Sequence, residues 1–336
     1  MTALRGILTR SVTTLITLFG VAVIVFVVIR LAPGDPISMM LPPGASQADI
    51  DRLYAHYGLD RSIPEQFFVW LGSVLEGDFG TSISLRQNVL GVVLGRLPAT
   101  LELSALALLI AIVLGVSLAF VATRWRETPA ETGVDVVSGI ALSVPDFLWA
   151  LALILLFGVA MPVFEISGRV SPRLDLPFVS QFYLVESILR FRFDITADLL
   201  AHMTMPALAL ALPLAAVIAQ LLKSSLKETM GLDYVMLART KGFSETRVIV
   251  REAMRNAILP TLTLTGVQLT FLIGGTVIVE RIFSYEGLGN LAIDAVINRD
   301  LPLIQGIVLL FAVLFVAINL AVDLLYALLN PRLRHG

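Results

Sequence analysis

The side chains that most often carry chemistry are few in this sequence and badly spaced for it. His56, His202 and His335 lie far apart, and none falls in an H-E-x-x-H pattern, so no metal site is indicated. Cysteine is absent, which removes a disulfide framework, a thiolate metal site and a catalytic thiol. The nearest approach to a G-x-S-x-G elbow is Gly115-Val116-Ser117-Leu118-Ala119, inside an apolar run where Ser117 reads as a packing residue. A phosphate-binding P-loop needs Gly-Lys-Ser/Thr, yet Leu222 precedes Lys223-Ser224. Neither an intrinsic hydrolase nor a motor is encoded by these routes. What stands out instead is a set of polar residues set singly into long apolar stretches: Glu102, Asp146, Gln220, Gln268, Asn319 and Asp323.

Composition explains those stretches. Of 336 residues, 57% are hydrophobic and only 15% charged, against roughly 25% in a soluble domain. Mean hydropathy is +0.87. A water-soluble enzyme is excluded, as is a disordered chain, whose signature is low hydrophobicity. A net charge of −2 excludes a broadly basic nucleic-acid binder. The composition is that of an integral membrane protein.

Crossing the ~30 Å hydrocarbon layer takes about 20 mostly apolar residues, with every backbone group satisfied inside the segment. The expected fold is all-α with six transmembrane helices: Ser11–Ile29, Leu103–Ala122, Val136–Phe164 (broken at Pro145-Asp146), Met203–Leu222, Ala257–Val279 and Leu301–Val322. All three lysines, Lys223, Lys227 and Lys241, fall in one intervening loop. Arginines concentrate on the same face and acids such as Asp35, Asp49 and Glu65 on the other. By the positive-inside rule both termini are cytoplasmic. Arg5 and Arg10 before an apolar run also suit a cleavable signal peptide, but Leu31-Ala32-Pro33-Gly34-Asp35 offers no small-x-small cleavage site, which favours a retained anchor. The expected organisation is an N-terminal helix at 1–31, a small extracytoplasmic domain at 32–95, a five-span core at 96–325 and a cytoplasmic tail at 326–336. Within 32–95, Ser46–Tyr57 reads as a short helix with Asp49 completing a capping box.

The loop at 223–256 is the most informative. Gly242 suits φ > 0 at the end of one short helix. Ser244 can cap a second, with Glu245 and Thr246 in its first turn. Arg247, Arg251 and Arg255 recur every four residues as one basic stripe. Pro260 fits the first position of a new helix. Charge alone is equally what a solvated basic loop would carry.

The order of residue types says more. Asp233-Tyr234-Val235, Ala238-Arg239, Lys241-Gly242, seventeen residues, then Pro260 resembles the EAA loop of ABC importer permeases, and more closely that of the peptide/nickel permease family. Ala32–Pro36, Gly77-Asp-Phe-Gly80, Arg96–Thr100, Ser143–Phe147, His202–Pro206, Val279–Gly289, Arg299-Asp300, Asp323–Tyr326 and Asn330–Arg332 follow the same family order. Departures are few: Pro is more usual at Glu286, Asp at Asn330 and Ala at Thr240.

The resemblance implies the ABC type I importer permease fold in the cytoplasmic membrane of a prokaryote. It implies a non-enzymatic subunit with no cofactor of its own, because ATP and Mg are bound by two separate ATPase subunits. The further partners are a homologous second permease, an extracytoplasmic solute-binding protein, membrane lipid and a peptide substrate, with no nucleic acid. Asp233, Tyr234, Ala238, Arg239, Lys241, Gly242 and Pro260 would belong to the loop that docks on the ATPase. Ala238 and Gly242 would permit close approach. Glu102, Asp146, Gln268 and Asn319 are the candidates for the translocation path, since polar groups inside spans are costly. They stand against plainer roles: Glu102, Asp146 and Asp323 meeting water or a backbone donor near span ends, and Gln268 and Asn319 as interhelical glue. Gly266, Gly274 and Gly275 read as packing glycines. A nickel or other small-solute importer, a non-transporting receptor or scaffold, and an intramembrane enzyme are the competing readings. A scaffold would not need the glycine-hinged loop, and an enzyme would need a nucleophile pair that is not found.

Overall fold

The computed structural model describes residues 2–31, 46 and 61–329. The expected Ser46–Tyr57 helix, the turns at 33–36 and 42–44, and Asn330–Arg332 therefore lie outside the described residues. The twelve helices named here are α1 (Thr2–Leu31), α2 (Ile63–Leu75), α3 (Val89–Arg124), α4 (Pro129–Ser143), α5 (Asp146–Leu153), α6 (Tyr183–Leu189), α7 (Phe193–Thr229), α8 (Asp233–Thr240), α9 (Glu245–Arg247), α10 (Met254–Ile282), α11 (Leu288–Ile297) and α12 (Leu301–Leu329). π-helical turns extend α5 over Ile154–Ala160 and join α9 to α10 over Val248–Ala253. Strand pairing among the described residues is limited to one bridge, Thr81 with Asn88. The chain is an all-α membrane protein.

α3, α7 and α12 are long and apolar enough to cross a bilayer, and the number rises to five if each of two bent pairs counts as one span. The expected first span corresponds to α1, whose described apolar stretch is Val12–Val28. The third expected span is broken where the sequence placed the break: α4 and α5 meet at 103° across Val144-Pro145. The cause is local. Val144 is held extended (ψ 120°) before Pro145, as the proline ring requires, and Pro145 then opens α5. Pro260 needs correction. It lies inside α10 instead of starting a helix, because the π-turn carries the helical backbone unbroken from α9 into Met254.

The chain forms two compact units, residues 1–97 with 291–317, and 98–290 with 318–336. In the first, Ala22 and Phe26 of α1 pack with Phe67 of α2 and Leu309 of α12. α2 opens with a capping box between Ser62 and Glu65. Asp300 ties down the loop before α3: it accepts hydrogen bonds from Ser82 Oγ at 2.6 Å, Ser84 Oγ at 2.7 Å and the Ser84 amide at 2.9 Å.

In the second unit, Ala99, Leu103, Ala107 and Ala111 repeat every four residues along one face of α3, and all are fully buried. Small side chains there let α7 approach closely. Gly115 continues the stripe, where a Cβ would lie 2.7 Å from Ile218 of α7. Pro206 and Pro213 sit inside α7 without ending it.

Candidate functional site

α8, α9 and the turn between them build the hinge loop. α8 starts after the turn at Gly231-Leu232, with Asp233 in its first turn, where a negative charge favours the helix N-terminus. It ends as a Schellman motif: the Gly242 amide donates to Arg239 O (2.9 Å) and the Phe243 amide to Ala238 O (3.4 Å). Gly242 has φ +80°, the left-handed conformation expected of it. Arg239 then reaches across the turn to Glu245, with Nη2–Oε1 at 2.7 Å and Nε–Oε2 at 3.2 Å. The guanidinium of Arg247 lies 3.8 Å from the centre of the Phe243 ring. Tyr234 Oη accepts a hydrogen bond from Asn256 Nδ2 at 2.7 Å, fastening α8 to α10. The hinge is held on both sides of its glycine.

Three expectations about this loop change in detail. Ser244 has the extended N-cap backbone, but its hydroxyl makes no capping hydrogen bond. Arg247, Arg251 and Arg255 are exposed, and the backbone that carries them is π-helical over 248–253 instead of a regular α-helix. Ala238 is 5% exposed and packs with Val235, Leu226 and Ile249 in this chain's own core, so it does not present a docking surface. Leu232, Met236 and Leu237 face outward instead, with Met236 and Leu237 about half exposed. Asp233, Arg239, Lys241 and Gly242 are exposed as well. Reading the loop for charge and small residues missed this apolar face; its signal is the alternation of Val235/Ala238 with Met236/Leu237 around one short helix.

The four translocation-path candidates do not form one site. Asp146 and Gln268 line the same cavity of about 320 Å³, walled by Leu142, Leu210, Leu214 and Leu272. Gly275 lines it too; a Cβ there would come within 3.2 Å of Asp146 Oδ2. Gly275 thus keeps the carboxylate uncovered, and Gly274 has open space around it. Gly266 alone among these glycines serves tight packing, against Val322 of α12. Glu102 lies elsewhere, buried and paired with Arg169 Nη2 at 2.8 Å. Its other oxygen accepts the amides of Leu184 and Val185 at the start of α6. Arg169 also lies 4.1 Å from the centre of the Tyr183 ring. Glu102 is thus a staple for the 165–190 insertion. Asn319 is half-buried on α12 and outside the cavity. His202 is buried, with Nδ1 2.8 Å from Asp198 O one turn earlier on its own helix.

A second buried anchor escaped sequence reasoning. Glu280 is fully buried and accepts hydrogen bonds from Thr100 Oγ1 (2.8 Å), the Gly289 amide (2.8 Å) and the Asn290 amide (3.1 Å). Thr100 Oγ1 in turn accepts the Leu288 amide at 2.8 Å. Gly287 and Gly289 are required here. A Cβ on the first would fall on the Glu280 carboxylate, and on the second 2.5 Å from Val277 Cα. The spacing Glu280…Gly287…Gly289, from the end of α10 to the start of α11, with Thr100 in another family landmark, was the available signal. Among the described residues, no group of three His, Asp or Glu side chains is placed to hold a metal ion.

Comparison with known proteins agrees along the whole length. Residues 107–335 match the family described as binding-protein-dependent transport system inner membrane component, and residues 3–104 its N-terminal counterpart. The chain is 38% identical over 320 residues to the di/tripeptide transport system permease protein DppB of Pseudomonas aeruginosa, covering 95% of each. It is 35% identical to the dipeptide transport system permease protein DppB of Escherichia coli, covering 99% of each. Identity to the oligopeptide transport system permease protein AppB of Bacillus subtilis is 33%, covering 98% of this chain and 99% of that one. A chain from an inward-facing structure of the MetNI methionine ABC transporter shares the fold, with 15% identity and a TM-score of 0.52 over 69% of this chain and 93% of that one. With its apolar helices, hinged loop and near full-length relatives, the chain belongs to the binding-protein-dependent transport system inner membrane components, the non-enzymatic permeases of ABC importers.

Proposed function

We propose that this chain is the permease subunit of an ATP-driven importer that carries di- and oligopeptides across the cytoplasmic membrane. Relatives named for di/tripeptide, dipeptide and oligopeptide transport, at 33–38% identity over nearly the whole chain, support the substrate class. The observation that carries the mechanism is the hinge loop: a short helix with an outward apolar face, closed by a left-handed glycine and braced by Arg239–Glu245. A partner ATPase binding Met236 and Leu237, with Asp233, Arg239 and Lys241 at the rim, would grip a rigid lever, since Val235 and Ala238 bury its other face in the core. ATP and Mg belong to the two ATPase subunits. Their closure moves the lever and re-aims the cavity between the two membrane faces.

In this reading a homologous second permease completes the path, and a solute-binding protein delivers cargo from outside. Six spans put both termini and the hinge loop in the cytoplasm and residues 32–95 outside. Specificity rests mainly with the binding protein, because a backbone common to all peptides calls for a wide path. The test is uptake of labelled di-, tri- and oligopeptides, and of nickel, by cells with and without the gene. Single cysteines at Ser46 and Ser244 should label from opposite faces. Peptide uptake independent of the gene, or labelling of both cysteines from one face, refutes the reading.

A further inference from the structure

The buried polar groups of the second unit divide into spent and unspent. Glu102 is neutralised by Arg169 and capped by two amides, and Glu280 is satisfied by Thr100 and two amides. Asp146 is different. Its Oδ1 accepts only the adjacent Phe147 amide at 2.8 Å, and among the described residues no Lys or Arg pairs with it. Its Oδ2 points towards Gly275, the one residue type that leaves that oxygen uncovered. Gln268 lines the same apolar cavity, and its amide makes no hydrogen bond among the described residues. A half-exposed carboxylate and a primary amide in an open cavity with leucine walls are free to take a partner from outside the chain, and exchanging water for a charged or hydrogen-bonding solute meets both. The break at Pro145 makes this possible, since a discontinuous membrane helix is where polar ends can face a passing solute.

We propose that Asp146 is a binding point for the α-ammonium group of a peptide, with the Gln268 amide pairing with the peptide backbone in the same cavity. This rests on the peptide-importer reading for the identity of the cargo. The chemistry is complementary. A free α-amino group has a pKa of about 7.7–8.0 and is charged at neutral pH. The Gln268 side chain offers both a donor and an acceptor to a peptide group. A lone negative charge also repels the C-terminal carboxylate, so it selects the amino end of the zwitterion. Asp146 thereby orients peptides by their free amino end and leaves discrimination among side chains to the binding protein.

The experiment uses the assembled transporter in membrane vesicles, with a single cysteine at Leu142, a partly exposed wall residue, in a chain that has no other thiol. Rates of modification by a cationic and an anionic methanethiosulfonate of similar size are compared. The cationic-to-anionic ratio should fall by at least about fivefold in Asp146→Asn and be retained in Asp146→Glu. Alanyl-alanine should slow the cationic reaction in the parent and in Asp146→Glu, and not in Asp146→Asn. Maximal uptake of the same dipeptide should fall in Asp146→Asn and recover in Asp146→Glu. An unchanged ratio, or equal protection by dipeptide in Asp146→Asn, overturns the proposal. A changed ratio in a transporter that takes up no peptide at all leaves a cation site standing and removes the peptide cargo, so the two failures separate.

Discussion

Replacing Gly242 tests the hinge most directly, because the structure separates backbone strain from steric contact at this position. With φ at +80°, any L-residue pays the left-handed penalty, roughly 1–2 kcal/mol for an ordinary side chain. A Cβ at Gly242 meets nothing within 4 Å, so no clash adds to that cost within this chain. The half-exposed Arg239–Glu245 pair contributes no more than about 1 kcal/mol and cannot restore the turn alone. Gly242→Ala should therefore reduce the population of the closed hinge by roughly 5- to 30-fold relative to its alternatives. Gly242→Val should be worse, because β-branching is least tolerated at positive φ. Gly242→Asn should be mildest, since asparagine visits the left-handed region routinely. Membrane insertion depends on apolar length and should be unaffected in all three. The assay is co-purification of the ATPase subunits together with peptide uptake, normalised to the amount of permease in the membrane. The order glycine, asparagine, alanine, valine is expected in both readouts. Asparagine as damaging as valine would mean that side-chain bulk and not backbone conformation matters, and wild-type behaviour of valine would remove the lever altogether.

Three other predictions concern the buried anchors and their supports. Arg169→Met strands the buried Glu102 carboxylate and should destabilise the chain by about 3–5 kcal/mol, seen as a lowered melting temperature in detergent, with Glu102→Gln/Arg169→Met recovering part of it. An unchanged melting temperature for the single variant would deny that the pair holds the insertion. Gly289→Ala drives a methyl onto the Val277 backbone, which cannot rotate away, and should cost about 1–3 kcal/mol, whereas Gly274→Ala, with open space around it, should cost less. Equal melting temperatures for the two would contradict the close approach. For Glu186, the Ser180 hydroxyl, then the Val179 and Ser180 amides and Arg190, outweigh burial and lower the pKa from 4.5 to about 2. A depressed carboxylate pKa gives stability that is complete above about pH 4.5 and lost as pH falls towards 2. Amide protection at Val179 and Ser180, corrected for intrinsic exchange, should decline across that window, and Glu186→Gln should flatten the profile.

Membrane character, the succession of apolar helices and the glycine-hinged loop were legible in the sequence because each is a local property. An apolar run needs only its own length. A Schellman turn closes through hydrogen bonds no more than five residues long, so Gly242 followed by Phe243 announces it. Which face of α8 looks outward was half legible: the pattern of Val235, Ala238, Met236 and Leu237 contains it, but the resemblance pointed to Ala238 as a contact residue and the core claimed it. The roles of single polar residues were not legible. Glu102 read as a path residue until Arg169, 67 positions away, took its charge, and Glu280 gained its meaning from Thr100, 180 positions away. Asp300 became an anchor through Ser82, 218 positions distant. A carboxylate in an apolar stretch is costly wherever it sits, so the sequence marks it, but whether that cost is met inside the chain or left for a ligand depends on the chain's path through space. Tertiary packing met it for Glu102, Glu280 and Asp300, and left Asp146 facing a cavity.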